Sequence, residues 1–513
     1  MEYLKHIFNI VALILMFALG MPSVEAQVQG TLTLASSVAG TLAVNDRQIW
    51  SFNGVEGQVI SISALATTPD FDPAISVTSS SGEVIISNDD YAYPDHRDAI
   101  LEAMTLPRTD NYDVTVTSVG GMSGNYNLSL LPGFADLQDV QNFNGDIRWR
   151  GIGISRGSFA LGNDQGTLTL SLEGPNDIEV VTNPQQLPFT DYFAQVSVKV
   201  VTGREGWIAT LTGRQQENSD FYSLNINNQG QWQFKVQQNG ESRTLRDWTT
   251  HPAIVGGKTD FTLGMLANGS GFDFFYDNVF FGRVIDSSLP AVGRIGLGVG
   301  TTSSLTSPVQ VAFDDLTITA PHLVEGKRII PQQLIIGSPA ATIRELQRRG
   351  LVPPQGELAL NVSESFVESQ RPGVEDLWLA RGSQFSTFVL ASSLVRQAAT
   401  EGTSGCGLTF HLEDDTHYTL AYIDQLGGYG VSQRVGDTFL PGIFGENPEI
   451  AGNTHKLMVI VQPDNLLFYI DGLYAGSSAT EKLTGGVGNA VVNFDPVRTS
   501  CQFQETWVWN WEN

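Results

Sequence analysis

Seven oxygen-bearing side chains crowd one stretch of the chain: Asp70, Asp72, Asn88, Asp89, Asp90, Asp95 and Asp98. Adjacent acids repel one another unless a cation offsets them. Calcium takes six to eight oxygen ligands at roughly 2.3–2.6 Å, and Asp89 and Asp90, with Asp70 or Asp72 brought across a sheet, would serve it. The same letters also make Asx turns and solvated acids at strand ends. Asp70, Asp72, Asn88, Asp89, Asp90 and Asp98 form the candidate calcium set.

Other spacings suggest chemistry less strongly. His411 and His417 flank Glu413-Asp414-Asp415, letters that could hold a transition metal. A polar β-turn explains them as well, and the turn is the reading taken. Gly153-Ile154-Ser155-Arg156-Gly157 spells a nucleophile elbow, but an elbow needs a strand, a sharp turn and a helix. The next residues, Ser158-Phe159-Ala160-Leu161, have a strand pattern instead. A glycosidase needs two acids about 5–10 Å apart across the scissile bond, and no Glu-x-Asp-x-Glu strand triplet occurs. No catalytic residue is assigned, and no ligand-binding residue is singled out. Trp507, Trp509 and Trp511 alternate on one strand and read as a stripe on a sandwich's inner face. Cys406 and Cys501 are the only cysteines, and an exported compartment favours their pairing.

The elements that must carry these residues are strands. Val59-Ile60-Ser61-Ile62-Ser63 and Tyr112-Asp113-Val114-Thr115-Val116 alternate with the period of a half-buried strand. About seven such runs between Gln27 and Gly133 make a small β-sandwich. The rest of the chain repeats itself. Phe221-Tyr222-Ser223-Leu224 matches His417-Tyr418-Thr419-Leu420, and the run from Phe275 to Gly282 matches Tyr469 to Gly476. Asp277-Asn278 and Asp471-Gly472 are hairpin turns at equivalent places in the two copies. Between the copies, Ser338-Pro339 opens a short helix that ends at Arg348, Arg349 and Gly350. Ile343 and Leu346 form its apolar stripe.

Composition agrees. The 513 residues carry 28 basic and 54 acidic side chains, a net charge of −26, yet charged residues make up only 16%, against roughly 25% in ordinary chains. Apolar residues reach 41%, and Gly numbers 53. Disorder would need dense charge and low hydrophobicity. Nucleic-acid binding would need the opposite charge balance. Residues 1–26, with Lys5 and His6 before the apolar run Ile7 to Leu19 and Val24-Glu25-Ala26 before Gln27, read as a secretory signal. No later run is long enough to span a bilayer.

Two resemblances rest on these residues. Ile49-Trp50-Ser51-Phe52 with Gly57-Gln58-Val59, Asp70-Phe71-Asp72-Pro73, Gly82, Asn88-Asp89-Asp90, Asp98-Ala99, Asn111-Tyr112 and Gly124-Asn125-Tyr126 resemble the bacterial pre-peptidase C-terminal domain. That family is a β-sandwich appended to secreted proteins, and some members bind calcium or extracellular polymers. The two later copies resemble concanavalin-A-like or laminin-G-like jelly rolls, through a Tyr-bearing strand, a Gly-turn hairpin, the aromatic run into Asp-Asn or Asp-Gly, and Gly293-Arg294-Ile295-Gly296-Leu297-Gly298. Such sandwiches host lectins, adhesion modules and glycosidases alike.

The expectation is an all-β chain of three β-sandwich modules with a short linker helix. Residues 1–26 are the signal, 27–133 the first sandwich, 134–320 and 359–513 the jelly rolls, and 321–358 the linker. The expected protein is bacterial, secreted or periplasmic, and non-catalytic. It binds extracellular or cell-envelope glycan, with calcium steadying the first module. The alternatives are an adhesion protein that binds a surface protein and a carbohydrate hydrolase.

Overall fold

The computed structural model describes residues 28–92, 96–145, 148–164, 166–380, 382–398, 402–480 and 483–511. The expected signal segment and Asp95 lie outside the described residues.

Alternation places every second side chain of a strand on one face, and six sheets pair up in chain order to use that rule. The first sandwich stacks a five-stranded sheet on the four strands Ser36–Leu42, Gly124–Pro132, Val59–Ala66 and Ala99–Thr105. Phe52, Ile62, Val77, Tyr112, Val114 and Leu128 fill the space between them. Ser36–Leu42 is a strand that the sequence pattern does not announce: SSVAGTL has no aromatic residue, and Val38 and Thr41 are its only β-branched ones. It lies on the edge of its sheet, paired along Gly124–Pro132.

Each later copy is a larger two-sheet sandwich, of eight and seven strands in the first roll and six and seven in the second. Their backbones share irregularities as well as strands. Arg214 and His411 both sit at φ 50° on a bulge of equivalent strands, and Asp315 and Glu505 bulge the two final strands at φ 49° and 52°. The Asp277-Asn278 and Asp471-Gly472 turns have positive φ at both positions, the geometry that suits the twist of a two-residue hairpin. Each aspartate also reaches back: Asp277 accepts the Thr262 amide at 2.9 Å, and Asp471 accepts the Lys456 amide at 2.6 Å. Cys406 and Cys501 form a disulfide inside the second roll, Cα atoms 5.8 Å apart.

The helix Pro339–Arg348 joins all three modules. Ser338 holds the N-cap position, but its hydroxyl makes no capping bond. Thr342 Oγ1 instead bonds the Gly337 backbone. Ile343 and Leu346 are buried as expected, against Val389, Met458, Ile460, Trp507, Trp509 and Trp511 of the second roll. The three tryptophans therefore point one way, but outward. The bulge at Glu505 reverses the alternation, so Cys501, Phe503 and Val508 face the inner core.

Arg348, which the sequence presents as a helix-ending residue, is fully buried. Its Nε donates to Asp273 Oδ2 at 3.2 Å, and Arg283 grips the same carboxylate at 2.5 and 2.8 Å. Burial would raise the Asp273 carboxyl, yet the two guanidiniums outweigh it and hold it below the usual range. Arg348 also donates to Thr105 of the first sandwich, and Thr105 donates to Glu345 at 3.1 Å. Asn268 closes the helix by donating to the carbonyls of Gln347 and Arg348. Asp273→Asn leaves two guanidiniums without their counter-charge, one of them wholly buried, and should destabilise the protein by about 3–5 kcal/mol in chemical denaturation. A loss below about 1 kcal/mol would mean that the junction contributes little.

Candidate functional site

The outer face of the seven-stranded sheet of the first roll carries an ordered set of polar side chains, most of them buried. Its strands run in the order Arg150–Gly151, Ile178–Thr182, Arg294–Thr301, Trp207–Gln215, Phe221–Asn227, Gln231–Gln238 and Glu241–Thr250. One set of alternate residues, including Ala209, Leu211, Leu224, Phe234 and Leu297, enters the core. The other set lies across the sheet in two rows. Val180, Gly298, Thr210, Asn225 and Gln233 are register neighbours, as are Thr182, Gly296, Thr212, Ser223 and Lys235.

The rows form a hydrogen-bonded floor. Thr210 Oγ1 donates to Asn225 Oδ1 at 2.8 Å, Asn225 Nδ2 to Ser223 Oγ at 3.3 Å, and Gln233 Nε2 to Asp247 Oδ1 at 3.3 Å. The glycines are required by close approach. A Cβ on Gly296 would stand 2.5 Å from Thr212 Oγ1 and 2.7 Å from Gln215 Oε1. Those two oxygens and Thr182 Oγ1 are buried without a partner among the described residues. Buried polar atoms are almost always satisfied, so three unpartnered oxygens on neighbouring strands set this part of the sheet apart.

The second roll repeats the motif and changes its surroundings. Thr409 faces Gly488 across the same strand pair, a Cβ there would meet Thr409 Oγ1 at 2.6 Å, and that hydroxyl too has no partner among the described residues. Around it, however, Leu412, Tyr418, Leu420, Ala490 and Val492 pack with Trp378 and Tyr422 into an apolar patch. Asp376 lies in the neighbouring row, with Oδ2 buried and unpartnered among the described residues. Burial raises its carboxyl, and Asp415 and Glu375 add to the shift. No sequence pattern identified these threonine–glycine pairs, because the partners belong to strands distant in sequence. The internal repeat as read does not align them, because it sets Tyr222 and Leu224, which enter the first roll's core, against Tyr418 and Leu420, which lie on the second roll's outer face.

The residues singled out in sequence are only partly gathered. Asp72 and Asp90 each have an Oδ1 buried without a partner among the described residues, while Arg97 stands 3.8 Å from Asp72 Oδ2. Burial raises both carboxyls, and Asp89 adds to each. Asn88 is engaged locally, donating to the Asp90 carbonyl at 2.9 Å and accepting the Ile100 amide at 3.0 Å. Asp98 accepts the Ala66 amide at 2.7 Å, and Asp70 occupies a turn at φ 61°. The donors are the oxygens calcium prefers. Among the described residues, no group of three or more His, Cys, Asp or Glu is spaced to hold a metal.

His411 and His417 diverge. His417 Nδ1 meets Asp414 at 3.0 Å at the hairpin tip, and bonds from Thr416 and His417 hold Asp414 down to about 2. His411 is buried between Phe388 and Phe410, which pushes its imidazole down to about 4. The Gly153–Gly157 string is a loop wrapped on two carboxylates: Gly153 and Ser155 donate to Glu179, and Arg156 and Gly157 donate to Asp177.

No protein-family model matches this sequence, and no curated protein does. Among solved structures, the chain is similar to the carbohydrate-binding module CBM66 from Bacillus subtilis, with 16% identity over 34% of this chain and 96% of that one, at a TM-score of 0.27. A Bacillus licheniformis β-glucanase matches at 12% identity over 36% and 99% of the two chains, TM-score 0.29. A laminarinase from Flavobacterium sp. matches at 11% over 36% and 100%, TM-score 0.30.

Buried neutral His411 makes stability depend on pH. Its folded value lies below the unfolded one of about 6.5, so the contribution is present above pH 6.5 and lost as pH falls towards 4. Between pH 7 and pH 4 the wild type should lose roughly 2–3 kcal/mol more than His411→Gln in chemical denaturation. Parallel curves would show that the imidazole takes up its proton without cost.

Proposed function

We propose that the protein is an exported, non-catalytic binder of neutral extracellular or cell-envelope glycan, which it meets on the outer face of the first roll's seven-stranded sheet. The observation that carries this is the Thr182, Thr212 and Gln215 oxygens, left without partners among the described residues around Gly296. Hydroxyls and amides both donate and accept, which suits sugar hydroxyls. Besides Val180 and Lys235, the two rows hold hydroxyl, amide and glycine where a hydrolase needs paired acids, which supports binding over hydrolysis. A glycan array probed with the full chain tests it. Thr212→Val, near in shape but without the hydroxyl, should weaken any array-positive glycan about tenfold, or roughly 1.4 kcal/mol, with melting unchanged. Equal binding by the variant, or an array without positives, would sink the reading.

Protein adhesion is the second reading. Phe439, Phe444 and Phe494 of the second roll are 46%, 60% and 48% exposed, and such apolar groups, when contiguous, mark contact surfaces.

The first sandwich, which resembles the pre-peptidase C-terminal domain, is proposed as the accessory module. Calcium would engage the Asp72 and Asp90 oxygens, with Asp70, Asn88, Asp89 and Asp98 as further donors. Its binding should raise the melting temperature, since a ligand of the folded state alone stabilises it. Melting curves that coincide with millimolar calcium and with chelator would retire the cation.

A further inference from the structure

A second opening into the first roll lies at its lateral edge, away from the outer face of the seven-stranded sheet. Here the strand Asp136–Gln141, paired to the final strand of the eight-stranded sheet, faces Arg148 and Trp149, which precede the edge strand Arg150–Gly151, and the loop 183–189. The gap is a cleft of about 530 Å³, within the range of roughly 300–1,000 Å³ that encloses small ligands.

Its lining is unusual for a sandwich edge. Gln138, Gln141, Asn142, Asn183, Gln185 and Gln186 bring six side-chain amides to one opening, and its depth is closed by the core rings of Phe143, Trp149 and Phe189. The two charged side chains in the lining hydrogen-bond to these amides. Asp139 accepts Gln141 Nε2 at 2.7 Å and Gln186 Nε2 at 3.4 Å, and Arg148 donates to Gln185. Gln186 is fixed further, its Oε1 accepting the Ile295 amide at 2.9 Å. Trp149 is 3% exposed, yet its Nε1 has no partner among the described residues. A buried indole N–H ordinarily finds an acceptor.

We propose that this edge cleft is a second binding site, for the end of a neutral oligosaccharide chain, with the Trp149 N–H serving a sugar oxygen. The inference deepens the glycan reading and rests on it for the class of ligand. Amides supply donors and acceptors without net charge.

The experiment labels the full chain with 5-fluorotryptophan and assigns the Trp149 fluorine resonance by its loss in Trp149→Phe. Laminaritetraose, cellotetraose, mannotetraose and levantetraose are then titrated separately, with tetra-alanine as the peptide comparison. At least one tetrasaccharide should shift the Trp149 resonance to saturation. Gln138→Ala with Gln185→Ala should raise the midpoint at least tenfold. Thr212→Val, which bears on the sheet face alone, separates the two readings, because it should leave the Trp149 titration as in the wild type even if the sheet face binds nothing. The proposal is overturned if no tetrasaccharide moves the resonance, if the double variant titrates like the wild type, or if only the peptide moves it.

Discussion

The contact of Arg348 with Asp273 ties the molecule together. A guanidinium wholly removed from water is tolerable only when its counter-charge and hydrogen bonds are supplied in place. Here one module supplies Asp273, the linker supplies Arg348, and the first sandwich supplies the Thr105 hydroxyl, while Arg348 Nη2 has no partner among the described residues. The geometry can be met only when all three are assembled. The apolar stripe of the helix does the complementary work on the second roll, covering tryptophans that would otherwise form an exposed patch. The helix is short enough to be marginal alone, so its packing holds it as much as it holds the packing.

On that frame the two rolls keep the same backbone and differ on their outer faces. Both bulge at the same place, and both set a threonine hydroxyl against a glycine. In the first roll the neighbours are Ser223, Asn225 and Gln233, whereas in the second they are Leu420, Tyr422 and Trp378. Replacing amides by rings converts a polar array into an apolar patch on the same strand framework. The change also leaves Asp376 in apolar surroundings, with its carboxyl raised. Duplicate architecture can thus carry two surface chemistries.

Much of the fold was legible in the chain because strand periodicity and hairpin turns are local. Asp277-Asn278 and Asp471-Gly472 could be read directly, since a two-residue turn demands positive φ at both places. The helix was readable from Pro339 to Arg348 for the same reason. The strand Ser36–Leu42 was not, since its pairing with Gly124–Pro132 rather than its own residues makes it a strand. The direction of Trp507, Trp509 and Trp511 was misread, because one bulged residue exchanges the two faces of a strand.

Sequence alone determined the class of fold, the repeat, the candidate carboxylates and the cysteines available to pair. It did so because composition, period and turn chemistry act over a few residues. Tertiary structure decided which face each side chain occupies and which polar atoms lack partners. It placed Thr212 against Gly296, Arg348 on Asp273, and the amides of Gln138 and Gln185 around one cleft, and it drew His411 away from His417. The first three depend on segments distant in sequence becoming neighbours, and the last on a bulge at His411; no local pattern encodes the register in which they meet.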